Sequence, residues 1–164
     1  MTPNTSLHTL LAYVEEETGK WKAWFAAHPH ALEARLDIAH ADDVRGLLNH
    51  IFAVEMRYGQ RLLGEPVTPF EQFQARSLSD IFQVGESGRA KLRQFLQHAT
   101  DADLSRILTV RTLSVGDYST SVAKVIVHAL MHGIRHWAQL ATALRQQGFK
   151  TNWPHDFMFT SAMQ

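Results

Sequence analysis

The 164-residue chain has ordinary globular composition, with 45% hydrophobic and 20% charged residues, and it is long enough to bury a sizeable core. Its formal net charge of +0 excludes a protein-wide basic field that would attract nucleic acid or an anionic membrane. Because it contains no cysteine, disulfides, thiolate metal sites and a protein-borne thiol nucleophile are excluded as well. We expect a single domain over residues 1–164.

The N-terminal segment does not have the pattern of a signal peptide. Glu15, Glu16 and Glu17 lie where a signal peptide would need an apolar core. No apolar run approaches the length of a membrane span. We therefore expect a cytoplasmic protein without a membrane-spanning segment.

Four long segments have the apolar periodicity of amphipathic helices. They are predicted at Ser6–Ala27, from Asp42 or Asp43 to Leu63, at Ser79–Ala99, and from Ser119 or Thr120 to Gln147. Pro29, Gly64 and Gly148 follow three of these segments, and both residue types commonly end helices. Gly85 and Gly88 weaken the third helix without overturning it.

The connections and the C-terminal tail carry weaker signals. The run ILTVRTLSVGDYS, between the last two helices, is compatible with a short extended pair that turns at residues 115–117. The aromatic tail WPHDFMFTSAMQ is predicted to pack as a short helix or at a partner surface. The simplest architecture is all-α, a four-helix bundle with long connections and a short C-terminal segment. Both crossover and up-down topologies stay open on the pattern alone.

Two histidines of the last helix are candidate metal ligands. His132 and His136 lie four residues apart, which places them about 40° apart around the helix axis. His136 projects inside the apolar arc, His132 at its edge and His128 outside it. Neutral imidazole binds Zn, Ni, Fe or Co, and this spacing brings two rings together on one face. A third ligand must come from another helix.

The second helix offers His50 as the best-placed third ligand. His50 flanks the apolar arc of that helix on the side of Arg57 and Arg61. Such a position suits the groove between two helices, and it also suits an ordinary surface histidine. Three protein ligands would make an open metal site of the catalytic type.

Glu55 of the same helix projects into the apolar arc, where a bare carboxylate is costly. Burial raises the pKa of a carboxyl group unless a cation or a hydrogen-bond donor compensates. We consider Glu55 a candidate catalytic base, a fourth ligand, or a hydrogen-bond partner of a metal-bound histidine. A salt bridge to an arginine of a neighbouring helix is an equal alternative.

The other polar and aromatic features are interpreted as structural. Arg89, Lys91 and Arg93 are spread around a predicted helix and are interpreted as a solvated face. The histidines without partners at ligand spacing, interpreted as incidental, are His8, His28, His30, His40, His98 and His155. The aromatic residues interpreted as packing, or alternatively as lining a pocket or subunit interface, are Trp137, Trp153, Phe157 and Phe159.

The runs LLNHIFAVEMRYGQRLLG and HALMHGIRHWAQLATALRQQG resemble the DinB/YfiT-like metalloprotein family, and the similarity covers most of the chain. Its motif has one histidine in the second helix and an H-x3-H pair in the last long helix. The resemblance therefore implies His50, His132 and His136 as ligands of a divalent metal such as Zn, Ni or Fe. It also implies an up-down-down-up four-helix bundle and often a homodimer. Many members read HHRGQ where this chain reads RHWAQ, which retains His136 and Gln139.

The resemblance also implies a reaction class. The family includes metal-dependent transferases that add low-molecular-weight thiols such as bacillithiol or mycothiol to electrophiles, and isomerases that use such thiols. A metal with an open coordination position favours the thiolate of a bound thiol. We expect an enzyme of this type acting on small electrophiles. Metal-dependent hydrolysis and a non-enzymatic, stress-related metal-binding bundle are alternatives, and a bis-histidine haem site is a weaker one.

Overall fold

The computed structural model describes residues 6–39, 41–112 and 115–162. The α-helices are α1 (Leu7–Ala27), α2 (Val44–Leu62), α3 (Leu78–His98), α4 (Asp101–Ser105) and α5 (Val122–Gln146). The strands are β1 (Arg35–Ile38), β2 (Ala41–Asp43), β3 (Ile107–Thr112) and β4 (Gly116–Ser121). Short 3-10 helices lie at Pro29–Glu33, Phe70–Gln72 and Phe157–Phe159. His40, which was interpreted as incidental, lies outside the described residues.

The predicted helical class is confirmed, but the fold is more than a four-helix bundle. Besides four long helices, the described part of the chain contains the short helix α4 and two antiparallel pairs, β1 with β2 and β3 with β4. The β3–β4 pair confirms the predicted extended pair. The predicted turn at residues 115–117 is wrong, because Gly116 and Asp117 pair with Thr112 and Arg111 in the ladder, which places the connection before Gly116. Within the described ranges, no helix has the length and apolar character needed to cross a membrane.

Short polar side chains set the beginnings of the long helices. The N-caps, each accepting a hydrogen bond from the backbone N–H three residues later, are Ser6, Asp43, Ser77 and Ser121. Helix α5 begins later than predicted because Ser119 and Thr120 pair with Thr109 and Leu108 in the β3–β4 ladder. Ser119, Thr120 and Ser121 are all suitable N-caps, and the β3–β4 pairing places the N-cap at Ser121, the last of the three.

The glycines of α3 let this helix approach α2 closely. A Cβ added to Gly85 would lie 2.4 Å from the Phe52 ring, and one added to Gly88 would lie 2.7 Å from the backbone nitrogen of Met56. Real side chains do not tolerate such distances. The residues that weaken the helical propensity of α3 are therefore those that its packing requires.

Helix α5 packs against α2 and α1 on its two inner sides. Next to α2, Gly133 lies beside Ile51 and Glu55, so that an added Cβ would be 3.4 Å from the Glu55 carboxylate. Next to α1, the Trp137 ring stacks on the Trp21 ring with 5.3 Å between centroids. Trp137 is thus part of the core, as its packing interpretation predicted. The close approach at Gly133 brings the histidines of α2 and α5 together.

The C-terminal tail packs against α1. Its short 3-10 helix at Phe157–Phe159 sets the Phe157 ring edge-on to Tyr13, with 5.0 Å between centroids. The next two residues, Thr160 and Ser161, donate hydrogen bonds to the Glu16 carboxylate. The predicted short helix is therefore present, as one turn held against the first helix.

Candidate metal centre

The structure brings the three candidate ligands together at the contact of α2 and α5. The Nε2 atom of His132 lies 3.1 Å from Nε2 of His50 and 3.1 Å from Nε2 of His136. One ring nitrogen of each histidine lies within 4.8 Å of the other two. Helix α2 supplies one ring and α5 supplies two that are separated by a single turn. Side chains from two helices thus converge as the spacing predicted.

The environment keeps the central histidine neutral. His136 is 4% exposed and His132 is 9% exposed, whereas His50 is partly buried. Burial and, to a smaller extent, the neighbouring His136 and His50 rings lower the pKa of His132 to about 2. An imidazole must be neutral to offer a lone pair to a cation. His132 is therefore in the protonation state that metal binding requires.

Hydrogen bonding around the cluster fits a shared cation. His136 Nδ1 lies 2.8 Å from Gln139 Oε1; because a carbonyl oxygen only accepts, His136 carries its proton on Nδ1 and directs the Nε2 lone pair at His132. A neutral His132 has at most one hydrogen on Nε2, which cannot be donated fully to both neighbouring nitrogens. Its Nδ1 is buried and has no hydrogen-bond partner among the described residues. Three imidazole nitrogens facing one another in this way suit a divalent transition metal.

Glu55 is buried at the contact of α2 and α3, and it forms an ion pair. The Arg89 guanidinium donates to Glu55 Oε2 at 2.6 Å, and both side chains are almost fully buried. Burial raises the pKa of Glu55, and Arg89 opposes this effect. The contact is the salt bridge considered as one alternative for Glu55, whose catalytic role stays a prediction. The interpretation of Arg89 as part of a solvated face is wrong, because Arg89 is 4% exposed.

A cleft of about 250 Å³ opens beside the histidine cluster. His50 and His132 lie in its wall, together with His128, whose ring centroid is 6.0 Å from that of His132. His128 thus lies near the cluster without belonging to it. The arginines in the wall of this cleft are Arg57, Arg61, Arg111 and Arg135. Arg57 and Arg61 lie on the same side of the helical projection as His50. This position was a sequence signal for a cationic cleft, but the cleft was not among the sequence predictions.

His155 is not incidental, since both of its ring nitrogens have protein partners. Its Nδ1 lies 2.5 Å from the Glu17 carboxylate and its Nε2 lies 2.9 Å from the Thr151 hydroxyl. Glu17, 3% exposed, also accepts a hydrogen bond from the Trp153 indole. Sequence reasoning missed this network because its members lie more than 130 residues apart.

The fold and the cluster together define a mainly helical protein with three histidines able to hold a metal ion. The sequence matches the DinB family over residues 1–163, and the chain belongs to that family. No curated protein matches the chain at a significant level.

Proposed function

We propose that His50, His132 and His136 bind a divalent transition metal, with Zn, Ni and Fe as candidates, and that the protein is a thiol transferase acting on small electrophiles. The observation that supports metal binding is the convergence of three imidazole nitrogens from two helices. Membership of the DinB family supports the thiol chemistry that the resemblance implies. Without a cysteine, the nucleophilic thiol must come from a second substrate.

A divalent metal at an open site lowers the pKa of a coordinated thiol or water. The chain's own residues prepare the site for this chemistry. Gln139 holds the His136 ring in one tautomer and one orientation, as hydrogen-bond partners of metal-binding histidines commonly do. The buried Glu55–Arg89 pair lies at the contact of α2 and α3, and we propose that it positions the helix that carries His50.

The test measures consumption of an electrophile, 1-chloro-2,4-dinitrobenzene, with bacillithiol or mycothiol as the second substrate. We expect thiol-dependent turnover that chelation abolishes and that re-addition of one divalent metal restores. His132→Ala should abolish turnover, whereas His98→Ala, which removes an exposed histidine at the end of α3, should not change it. Turnover that persists in metal-free protein and in His132→Ala would contradict the proposal.

Hydrolysis is the second candidate, because the same cluster would also activate water. Turnover of an activated ester in thiol-free buffer, lost on chelation, distinguishes it from thiol transfer. A protein that binds metal and turns over neither substrate supports the non-enzymatic alternative. The up-down-down-up topology and the homodimer implied by the resemblance stay predictions.

A further inference from the structure

The cleft beside the histidine cluster has an unusual concentration of positive charge. Four arginines lie in its wall although the chain as a whole has a formal net charge of +0. Helix α2 contributes Arg57 and Arg61, strand β3 contributes Arg111, and α5 contributes Arg135. Among the described residues, no aspartate or glutamate lines the cleft.

These arginines are not neutralised within the part of the chain that the structure describes. None of the four lies within ion-pair distance of a carboxylate there, whereas Arg45, Arg89 and Arg93 each have a glutamate partner. The exposed Glu71 acts on Arg57 only at longer range. The cleft is therefore a cationic region whose arginines have no ion-pair partner among the described residues.

Arg57 is held in place by its surroundings rather than by a counter-charge. Its guanidinium donates to the backbone carbonyl of Thr68 and lies over the Phe70 ring, 4.1 Å from the centroid. The Phe70 ring is also nearly parallel to His50, with 6.3 Å between centroids. Partial burial lowers the pKa of Arg57, and the like charge of Arg61 lowers it further. A bound anion would relieve this repulsion.

We propose that this cleft binds the carboxylate or phosphate groups of a small polyanionic substrate. Guanidinium groups match the planar geometry of such oxyanions and bind them with two parallel hydrogen bonds. The volume of about 250 Å³ suits a molecule smaller than a typical drug. Binding of the anion does not depend on the proposed function. The further statement that the reacting atom of this molecule lies at the histidine cluster does rest on it.

Calorimetric titration of the full-length protein tests this inference, both metal-loaded and after chelation. The probes are succinate, inorganic phosphate and the neutral analogue succinamide. We expect both protein forms to bind succinate or phosphate, with an affinity that falls as the salt concentration rises. Neither form should bind succinamide. Tighter binding of succinate would assign the cleft to carboxylates, and tighter binding of phosphate would assign it to phosphoryl groups.

Substitutions of single arginines locate the binding site. Arg61→Gln, Arg111→Gln and Arg135→Gln should each weaken binding of the preferred anion about tenfold, as expected for the loss of a hydrogen bond between charged groups. Arg106→Gln is the matched control: this exposed arginine directly precedes β3, about 16 Å along the strand from Arg111, and its loss should not change affinity. Circular dichroism confirms that each variant folds.

Two outcomes would overturn the inference. One is that chelated wild-type protein binds neither succinate nor phosphate; the other is that the three cleft variants bind as tightly as wild type. Because the chelated protein is part of the design, failure of metal binding leaves the anion result interpretable. Conversely, a protein that shows metal- and thiol-dependent turnover but no anion binding would sustain the proposed function and reject the polyanionic substrate.

Discussion

The histidine cluster between α2 and α5 differs from the histidine of the C-terminal tail in the hydrogen-bond partners of its ring nitrogens. His155 directs one ring nitrogen at Glu17 and the other at Thr151, so that the protein uses both. His132 directs Nε2 at two other histidine nitrogens. Its Nδ1 is buried, and no described residue forms a hydrogen bond with it. Partial burial of a histidine therefore does not by itself indicate a metal centre. The indication is that several ring nitrogens point at one another.

The buried carboxylates of the two regions differ in a similar way. Glu55, beside α5, has one oxygen paired with Arg89 and the other without a hydrogen-bond partner in the described structure. Glu17, beneath the tail, accepts hydrogen bonds from Trp153 and from His155. The histidine-cluster region thus depends on one buried ion pair, and the tail depends on a network of hydrogen bonds.

Removal of the buried cation should have the largest effect on stability. Arg89→Ala leaves the Glu55 carboxylate buried and uncompensated, so we expect the free energy of unfolding to fall by about 3–5 kcal/mol. The control is Lys22→Ala, which breaks the exposed Lys22–Glu86 pair and should cost at most about 1 kcal/mol. Urea unfolding measures both. An Arg89→Ala protein as stable as the control would contradict the buried ion pair.

Disruption of the tail network should have the next largest effect. Glu17→Ala removes the acceptor of Trp153 and His155, and we expect a loss of about 2–3 kcal/mol in urea unfolding. Glu17→Gln should cost less, because its amide oxygen still accepts one hydrogen bond. Metal content should be unchanged in both variants. Loss of metal from folded Glu17→Ala would show that the two regions are not separate.

Removal of the hydrogen bond that orients His136 should weaken metal binding without abolishing it. Gln139→Ala leaves the His136 Nδ1–H without its acceptor, and we expect a metal Kd that is about 10–100-fold higher. Gln139→Glu, which keeps an acceptor oxygen, should restore most of the affinity. Competition with a metal-binding dye measures the Kd. Equal affinities for wild type and Gln139→Ala would mean that Gln139 has no such role.

Acid should release the end of the tail, with the smallest effect on stability. Hydrogen bonds from Lys20 and then Ser161 lower the pKa of Glu16 to about 2, below its ordinary value of 4.5. Because the folded pKa is the lower one, the stabilisation is complete above pH 4.5 and is lost as the pH falls through about 2. Glu16 lies at the surface, so we expect Glu16→Gln to cost at most about 1 kcal/mol at neutral pH. In urea unfolding, the difference from wild type should shrink towards pH 2; a constant difference would contradict this linkage.

Local sequence signals predicted the long helices and the histidine cluster because both depend on helical periodicity. The spacing of His132 and His136 places both on one face at any position in the fold. The position of His50 at the edge of its apolar arc indicated a second helix facing the first. The position of each histidine on its helix depends only on residues close in sequence. The pairing of α2 with α5 does not.

The features that the sequence did not reveal depend on contacts between distant residues. The periodicity of α2 predicted that Glu55 is buried, but the partnership with Arg89 depends on the close α2–α3 contact at Gly85 and Gly88. The β1–β2 pair is only a few residues long, which is too short for a periodic signal. The cationic cleft combines arginines from α2, β3 and α5, and its shape exists only after those elements pack.

Elemental analysis of the purified protein tests metal binding by the three histidines most directly. We predict about one equivalent of a divalent transition metal in wild-type protein and in His155→Gln, and a large loss of metal in His50→Ala, His132→Ala and His136→Ala. Wild-type protein without metal after incubation with Zn, Ni or Fe, or three folded alanine variants that retain a full equivalent, would contradict the account.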